Sequence, residues 1–371
     1  MDLVENMKIC LLASASSIHT VRWVNALADL GHEISLITIQ QPELDVIDNR
    51  VAIYELKIKN KLGYYLNFPE SKRIIRKIKP DIINVHYASG YGTLGRLVHF
   101  EPTLLSVWGS DVYLFPYKSK WNEQTLRKNL RTASQIASTS HALKLQTKKF
   151  VENKLPIVVT PFGIDLDRFY STDKKGTDVI LIGTVKSLES IYGIDILINA
   201  VSELIKRLNM EHQLEIANKI RLKIVGDGSE KTSLIQLTKE KNIHEITHFV
   251  GAVSNDEVPK YLNELSIYCA FSRSESFGVA VLEASACEVP VVVSSVGGLP
   301  EVVKNGESGF IVNHNDIDMI VDKLYELVMD KNKRSQMGLS GREFVSKYYE
   351  WNNNVAHMVE IYEKLIANSR K

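Results

Sequence analysis

Residues 270–301, AFSRSESFGVAVLEASACEVPVVVSSVGGLPE, decide the fold class of this chain. Within them, residues 278–287 form an apolar run of helical composition that begins at Gly278, and the β-rich segment VPVVVSS follows it. A helix N-terminus exposes unpaired N–H groups and a partial positive charge, so this end favours an anion such as a diphosphate. A buried helix that leads into a buried strand is the repeating unit of a parallel α/β sheet.

Two glutamates flank the start of this helix. If both belonged to it, the eight positions from Glu275 to Glu283 would span about 12 Å of helical rise and leave the carboxylates on broadly the same side. Two acceptors around an anion site suit a ligand with hydroxyl groups on either side of its phosphates. A nucleotide sugar is such a ligand. A helix cap with one exposed glutamate is the structural alternative.

The rest of the chain repeats the alternation of strands and helices in two halves. Strands are predicted at 7–13, 32–39, 51–58, 81–87, 103–109, 135–140 and 157–163, and then at 178–185, 221–228, 248–253, 267–272 and 309–312. A polar, turn-rich linker is predicted at 165–178. Parallel α/β units stacked twice predict two Rossmann-like domains that face each other across a central cleft. We place these domains at 1–165 and 166–349, with a final helix in 350–371.

Polar residues follow three of these strands. Ligands of open α/β sheets bind at the carboxyl ends of the strands. His86 and Asp111 lie at two such ends in the first half and are predicted ligand contacts, with a buried structural histidine as the alternative for His86. Lys186 follows a strand of the second half and is well placed for a phosphate, with a solvated side chain as the alternative.

The composition indicates a well-cored globular protein, since 44% of the 371 residues are apolar and 24% are charged. The net charge of +1 gives no reason to expect nucleic acid as a partner. Through Tyr170 there are 22 basic and 16 acidic residues, a net charge of +6, and the remainder has 23 and 28, a net charge of −5. A basic first half suits an anionic membrane surface. The basic helix predicted at 69–79 is either an interfacial patch or a plain solvated helix.

Several classes of protein are disfavoured. The three cysteines lie in apolar segments and form no C-x-x-C pair, so we expect buried thiols and no metal site. There is no G-x-G-x-x-G opening and no P-loop, which disfavours hydride transfer and nucleotide hydrolysis. The N-terminal residues do not have the pattern of a signal peptide, and no segment approaches the roughly 20 apolar residues that span a bilayer. We expect a cytoplasmic protein, at most peripheral on the inner face of the membrane.

The segment 272–309 resembles the signature of the retaining family 4 glycosyltransferases, which have the GT-B fold. It follows the order S-x-S-E-S-F-G-x-x-x-L-E-A-x-A-x-x-x-P-V-V-x-S-x-x-G-G-x-P-E-V-V-x-N-G-x-x-G. The matching residues include Glu275, Phe277, Gly278, Glu283, Ala284, Pro290, Gly297, Gly298, Pro300, Glu301 and Gly309. The length of this register makes the resemblance specific, whereas two glutamates at this spacing alone would be a weak signal.

The resemblance implies transfer with retention of anomeric configuration, with a nucleotide sugar as substrate and with no cofactor or obligatory metal. It implies a donor site on the second domain, an acceptor site on the first, and a last helix that crosses back onto the first domain. The implied donor-site residues are Phe277, Gly278, Val279, Glu283 and Gly251. The implied acceptor-site residues are Ser16 and His19, although an ordinary helix N-cap at Ser16 is equally compatible with the sequence.

The sequence departs from the family pattern at the diphosphate. Thr184 and Tyr192 stand where the family usually has an arginine and a lysine that bind this group. We therefore assign the positive charge at the diphosphate to Lys186 and Arg273.

A second departure lies in the first domain, where Trp108 stands at the position of a family histidine that contacts the donor sugar. We therefore predict catalytic contacts from Glu275, Asp111 and His86. The predicted reaction moves a sugar from a UDP-sugar to a glycan or lipid-linked acceptor of a bacterial cell surface. The departures leave two other hypotheses open, a catalytically silent subunit that binds nucleotide sugar and a sugar-nucleotide epimerase of the same fold.

Overall fold

The computed structural model describes residues 6–151, 155–172 and 178–370. Contacts within the chain divide it into two compact units, Met1–Pro161 with Asn352–Lys371, and Phe162–Trp351. The boundary of the units thus falls between Pro161 and Phe162, whereas the sequence analysis places it after residue 165. Part of the predicted linker at 165–178 lies outside the described residues.

The first unit is built on a sheet of seven parallel strands in the order β3-β2-β1-β4-β5-β6-β7. The strands are β1 (Lys8–Leu12), β2 (Glu33–Thr38), β3 (Ala52–Glu55), β4 (Ile82–His86), β5 (Thr103–Val107), β6 (Gln135–Ser138) and β7 (Ile157–Val159). The helices between them are α1 (Ile18–Asp29), α2 (Gly63–Leu66), α3 (Phe68–Ile78), α4 (Gly90–Val98), α5 (Ser110–Tyr113), α6 (Lys120–Arg131) and α7 (His141–Lys148). Every residue of β4 and β5 is buried, as is typical of central parallel strands covered on both faces.

The second unit contains a sheet of six parallel strands in the order β10-β9-β8-β11-β12-β13. The strands are β8 (Ile180–Val185), β9 (Ile220–Val225), β10 (Thr247–Gly251), β11 (Ile267–Ala270), β12 (Val291–Ser294) and β13 (Gly309–Val312). The helices are α8 (Ile194–Met210), α9 (Leu214–Lys219), α10 (Lys231–Glu240), α11 (Val258–Glu264), α12 (Val279–Ala286), α13 (Ile317–Met329) and α14 (Lys331–Tyr348). The prediction of two parallel α/β sheets is confirmed.

The last helix, α15 (Trp351–Ser369), belongs to the first unit from its second residue, Asn352, onward. Its Tyr362 is fully buried, and the Asn84 Nδ2 of β4 donates a hydrogen bond to the Tyr362 hydroxyl at 2.6 Å. Near its end, Arg370 Nη2 donates to Asp81 Oδ1 at 3.0 Å. The prediction that the last helix packs on the first domain is confirmed.

The order of the strands reverses once in each sheet. In the first unit the chain moves outward from β1 to β3 and then returns to β4, on the other side of β1. In the second unit the same reversal lies between β8 and β11. Ligands of open α/β sheets bind at the carboxyl ends of the strands at such a reversal. The loops after β1, β4, β8 and β11 are therefore the candidate ligand loops.

Some predicted boundaries are wrong. The strands predicted at 221–228 and 248–253 end earlier, because the Gly226 N–H donates to the Gly251 carbonyl at 2.8 Å and the parallel ladder stops there. The helices α7 and α9 were not predicted. Only Ala217 of α9 is buried, and two of the three buried residues of α7 are polar, so neither helix has a clear hydrophobic period.

Candidate functional site

The loops after β8 and β11 bring a lysine and a glutamate together in the second unit. Lys186 Nζ donates to Glu275 Oε2 at 2.7 Å, although 89 residues separate them in sequence. Their side chains are 20% and 13% exposed. The ammonium also lies 4.4 Å from the centroid of the Tyr192 ring. The cation is thus held between a carboxylate and an aromatic face, and both stabilise its charge.

The electrostatic environment keeps Lys186 charged. Burial lowers its pKa, but the Glu275 carboxylate, with smaller contributions from Tyr268 and Tyr192, outweighs burial and raises the pKa overall. Lys186 is therefore protonated at neutral pH. Thr184, at the position of the family arginine, is buried and hydrogen-bonds to Tyr268. At the position where the family has an arginine, this chain therefore has a buried hydrogen bond between Thr184 and Tyr268 and no exposed cation.

Tyr268, which the sequence analysis did not single out, lies at the centre of this site. Its side chain is fully buried on β11, and burial raises its pKa to about 12. Lys186 lowers this pKa, whereas Glu283 and Glu275 raise it. The three predicted charged residues, Lys186, Glu275 and Glu283, thus all affect the pKa of one buried phenol. The spacing of the two glutamates gave no signal for a tyrosine on the preceding strand.

Arg273 has other partners. Its Nη1 donates to Asp195 Oδ1 at 2.9 Å and to the Ser190 carbonyl at 2.7 Å, and its Nη2 donates to Asp195 Oδ2 at 2.6 Å. Both terminal nitrogens are therefore already engaged in a two-point ion pair. Binding of a diphosphate by Arg273 remains a prediction, and it would require this ion pair to open.

Glu275 lies in a loop ahead of α12, as expected from a helix that begins at Gly278, so the helical spacing considered for the two glutamates does not apply. The helix α12 begins at Val279, because Gly278 has φ of 116°, which is outside the helical region. The loop is fixed by the following turn, where Gly298 N–H donates to the Glu275 carbonyl at 3.1 Å. A Cβ at Gly297 would lie 1.7 Å from that carbonyl oxygen, so a side chain there would displace the Glu275 loop.

The remaining predicted donor residues differ in what they expose. The Phe277 ring is buried and packs against Phe162 and Tyr349, with centroids 6.1 and 5.7 Å away, so it is part of the core of the second unit. Val279 is half-buried at the start of α12. Gly251 ends β10, and a Cβ there would meet no atom within 4 Å. A contact of these residues with a nucleotide remains a prediction.

In the first unit, Trp108 joins the predicted histidines. The His86 ring lies at the end of β4, fully covered, with its centroid 4.4 Å from that of Trp108. The His19 ring, at the start of α1, is 5.8 Å from the same indole. His86 Nδ1 and Thr20 Oγ1 are 3.5 Å apart. The tryptophan that replaces the family histidine thus packs between the two histidines of the candidate acceptor loops.

Both histidines are neutral at physiological pH. Burial lowers the pKa of His86 to about 3, with a further decrease from His19. Burial also lowers the pKa of His19 to about 4, with a further decrease from the positive charge of Arg22. A neutral imidazole can donate one hydrogen bond and accept another, which suits a hydroxyl group better than an anion.

The Asp111 carboxylate accepts hydrogen bonds from backbone N–H groups. Its Oδ2 accepts from Ala88 N–H at 2.8 Å, and its Oδ1 accepts from Gly109 N–H at 2.8 Å and from Trp108 N–H at 3.2 Å. Burial raises the pKa of Asp111, and these three donors oppose that effect. The carboxylate ties the loop after β4 to the loop after β5. The geometry assigns Asp111 a positioning role, and its direct contact with a ligand remains a prediction.

A cavity of about 250 Å³ lies entirely within the first unit. The residues that line it are Ser14, Ser17, Thr20, Gln40, Tyr64, His86, Tyr87, Ser89, Gly90, Tyr91 and Trp108. They present hydroxyl, amide, imidazole and aromatic groups. Ser16 is exposed, with its Oγ 3.0 Å from that of Ser14. Sequence reasoning missed the tyrosines and Gln40, because they come from helices and loops that are far apart in the chain.

Within residues 6–151, 155–172 and 178–370, no group of three or more His, Cys, Asp or Glu side chains is arranged to hold a metal ion. In the same ranges, no helix is long and apolar enough to cross a bilayer.

Known proteins resemble the chain in both sequence and fold. Residues 169–344 match the family described as Glycosyl transferases group 1, and residues 8–140 match the family described as Glycosyl transferase 4-like. A glycosyltransferase of Methanocaldococcus jannaschii is 25% identical over 94% of both chains. The N-acetyl-alpha-D-glucosaminyl L-malate synthase of Bacillus anthracis is 26% identical over 93% of this chain and 92% of its own.

Two solved structures extend the likeness to the fold. Sucrose-phosphate synthase of Thermosynechococcus elongatus superposes with a TM-score of 0.82 and 19% identity, over 98% of this chain and 100% of its own. The Anabaena protein HepE, in complex with UDP and glucose, superposes with a TM-score of 0.78 and 17% identity, over 96% and 100% of the two chains.

Two parallel α/β sheets, each with candidate ligand loops at its strand reversal, are the architecture of the GT-B glycosyltransferases. The match to the group 1 family covers most of the second unit, and the match to the 4-like family covers most of the first. The chain therefore belongs to the family 4 type of these enzymes.

Proposed function

We propose that the chain transfers a sugar from a nucleoside-diphosphate sugar, with UDP as the carrier, to a glycan or lipid-linked acceptor, with retention of configuration and without a metal. The observation that carries this proposal is the Lys186–Glu275 pair in the loops beside Tyr268, next to the glycine-started helix α12. We propose further that the reaction takes place in the cytoplasm of a bacterium and contributes to a surface polysaccharide.

The charges of the second unit suit the departure of a nucleoside diphosphate. When the bond between the anomeric carbon and the phosphate oxygen breaks, negative charge develops on that oxygen. Lys186 and the N–H groups at the start of α12 stabilise this charge. These groups supply the positive charge that a metal ion would otherwise supply. Glu275 holds hydroxyls of the sugar, and Glu283 holds the ribose diol.

Retention follows from attack on the face that the leaving group vacates. The acceptor oxygen forms its bond to the anomeric carbon on that face, and the acceptor proton passes to the departing phosphate oxygen. The acceptor is bound in the cavity of the first unit, where neutral His86, serines and tyrosines offer partners for hydroxyl groups. Asp111 holds the loops that carry this cavity.

The names of similar proteins support the substrate classes but not one substrate. The Bacillus anthracis relative is named for joining N-acetylglucosamine to malate, and a Kribbella flavida relative is named a D-inositol 3-phosphate glycosyltransferase. The Anabaena structure contains UDP, whereas a Mycobacterium tuberculosis relative is named as GDP-mannose-dependent. We therefore place UDP first in a test that also includes the guanine series.

The test is a thermal-shift panel of UDP, GDP, ADP and their common sugar conjugates. A ligand that binds only the folded state raises the melting temperature by mass action. We expect one nucleotide series to raise it for the wild type and for the exposed-surface control Glu240→Ala, and not for Glu283→Ala. A shift that survives Glu283→Ala would contradict the assigned site.

Turnover separates the enzyme from a silent nucleotide-sugar-binding subunit. Incubation with the donor that gives the shift, together with a mixture of glycan acceptors, should yield a product with the anomeric configuration of the donor by nuclear magnetic resonance. An inverted product would contradict retention. Donor binding without turnover would favour the silent subunit, and interconversion of the donor without acceptor would favour an epimerase.

A further inference from the structure

The first unit carries an exposed apolar surface that the proposed chemistry does not use. Leu62 is 60% exposed, Leu66 is 56% exposed and Trp121 is 59% exposed. The two leucines lie one helical turn apart, since Leu66 N–H donates to the Leu62 carbonyl at 2.9 Å. The Tyr65 and Trp121 ring centroids are 6.2 Å apart, which joins α2 to the start of α6. We call Leu62, Tyr65, Leu66 and Trp121 the apolar cluster.

Basic residues adjoin the apolar cluster in the sequence. Lys61 precedes Leu62, and Lys118 and Lys120 precede Trp121; all three side chains belong to exposed residues. Residues 57–73 contain five basic residues and one acidic residue. Exposed leucine and tryptophan within a basic surface match the chemistry of an anionic lipid headgroup region, where aromatic and aliphatic side chains enter the interface and lysines attract the headgroups.

The apolar cluster is next to the cavity of the first unit. Tyr64 lines that cavity, and its neighbour Tyr65 belongs to the cluster. The Tyr64 ring also packs against Tyr91, a second lining residue, with centroids 5.2 Å apart. The short helix α2 therefore has one residue in the cavity wall and adjacent residues in the apolar surface.

We propose that the apolar cluster docks on an anionic lipid bilayer and so presents the cavity to the sugar of a lipid-linked acceptor. This docking surface precedes the basic helix α3, for which the sequence left open an interfacial patch or a plain solvated helix. The docking surface is inferred from the exposure of the apolar cluster and from the lysines next to it. Only the identity of the acceptor rests on the proposed function.

The test is cosedimentation with vesicles of phosphatidylcholine alone or mixed with phosphatidylglycerol. We expect the wild type to pellet with the mixed vesicles only. Trp121→Ser and Leu66→Ser should greatly reduce the bound fraction. Lys120→Gln should weaken binding by about fivefold, the equivalent of one lysine near an anionic surface. The control is Leu214→Ser, at a leucine of the second unit that is 55% exposed, and it should bind as the wild type does.

The proposal is overturned if the wild type ignores the mixed vesicles or binds both kinds equally, or if the cluster variants bind as the wild type does. It is also overturned if sedimentation velocity shows a dimer that Trp121→Ser abolishes, because the cluster then serves a second copy of the chain. The nucleotide thermal shift is measured on every variant. A normal shift in Trp121→Ser shows intact folding, and vesicle binding without any nucleotide shift contradicts only the proposed function.

Discussion

The two units hold their charges in opposite ways. In the second unit, Lys186 and Glu275 are both charged and pair with each other across two loops, with part of each side chain still exposed. In the first unit, His86 and His19 are neutral, and the Asp111 carboxylate is completely buried and accepts from three backbone N–H groups.

The partly exposed Lys186–Glu275 pair is accessible to a charged ligand, whereas the buried Asp111 carboxylate stabilises the folded backbone. An exposed edge of an ion pair can exchange a carboxylate for a phosphate, because water and ligand reach it. A buried carboxylate that satisfies three N–H groups cannot leave them without a large desolvation cost. Such a pair of regions suits an anionic donor on the second unit and a neutral, hydroxyl-rich acceptor on the first.

The largest expected effect comes from removing the positive charge of Lys186. Lys186→Met keeps the length of the side chain but loses the ammonium, so the departing phosphate is no longer stabilised. We expect the turnover rate to fall by about 10²- to 10³-fold, as for loss of one group that stabilises a developing anion. The measurement is release of nucleoside diphosphate from the preferred donor. The exposed Lys239→Met serves as the control, and wild-type turnover in Lys186→Met would remove the central assignment.

The next effect tests the structural charge. Asp111→Asn retains the shape but replaces one acceptor with an NH₂ group, so a buried backbone N–H loses its partner. We expect unfolding to become easier by about 1–3 kcal/mol, measured by urea denaturation against the exposed Asp45→Asn. The nucleotide thermal shift should remain. If Asp111→Asn is as stable as the wild type and loses activity alone, Asp111 contacts a ligand and the contrast between the units fails.

The buried histidine predicts a dependence of stability on pH. The pKa of His86 is lowered from 6.5 to about 3 in the folded protein, so the unfolded chain binds the proton more readily. The stability that neutral His86 contributes is therefore complete above pH 6.5 and is lost as the pH falls towards 3. The loss approaches about 1.4 kcal/mol per pH unit.

Urea denaturation between about pH 7.5 and about pH 5.5, about one unit on either side of the unperturbed pKa, checks this slope. His86→Gln should make it shallower, whereas the exposed His357→Gln should leave it unchanged. An identical slope in His86→Gln would mean that another group determines the acid sensitivity.

The smallest effect sharpens the description of the donor loops. Tyr192→Leu removes the aromatic face beside Lys186, which should weaken nucleotide binding by about two- to fivefold, the value of a partly exposed cation–π contact. Tyr192→Phe keeps the face and should bind as the wild type does. Calorimetric titration measures both, and equal losses in the two variants would assign the effect to the hydroxyl.

The sequence predicts the fold well and the site in part, for physical reasons. Short, continuously buried runs such as β4, alternating with amphipathic helices, are typical of parallel strands that are covered on both faces. Lys186 and Glu275 were each singled out by the strand or motif next to them. The ion pair of Arg273 was not foreseen, because Asp195 is 78 residues away and nothing local identifies it. The cavity was missed for the same reason, since Gln40, Tyr64 and Tyr91 meet only through the tertiary fold.

The position of α15 has a consequence for the order of maturation during synthesis. The side-chain amide of Asn84 donates a hydrogen bond to the hydroxyl of Tyr362, which is 278 residues further along the chain. When the seven strands of the first sheet have been synthesised, the Asn84 Nδ2 donor therefore still lacks the Tyr362 hydroxyl that accepts its hydrogen bond. The second unit, Phe162–Trp351, is one continuous segment of the chain. The second unit can thus pack from one uninterrupted segment, whereas the first unit is completed only by α15, which is synthesised after the second unit.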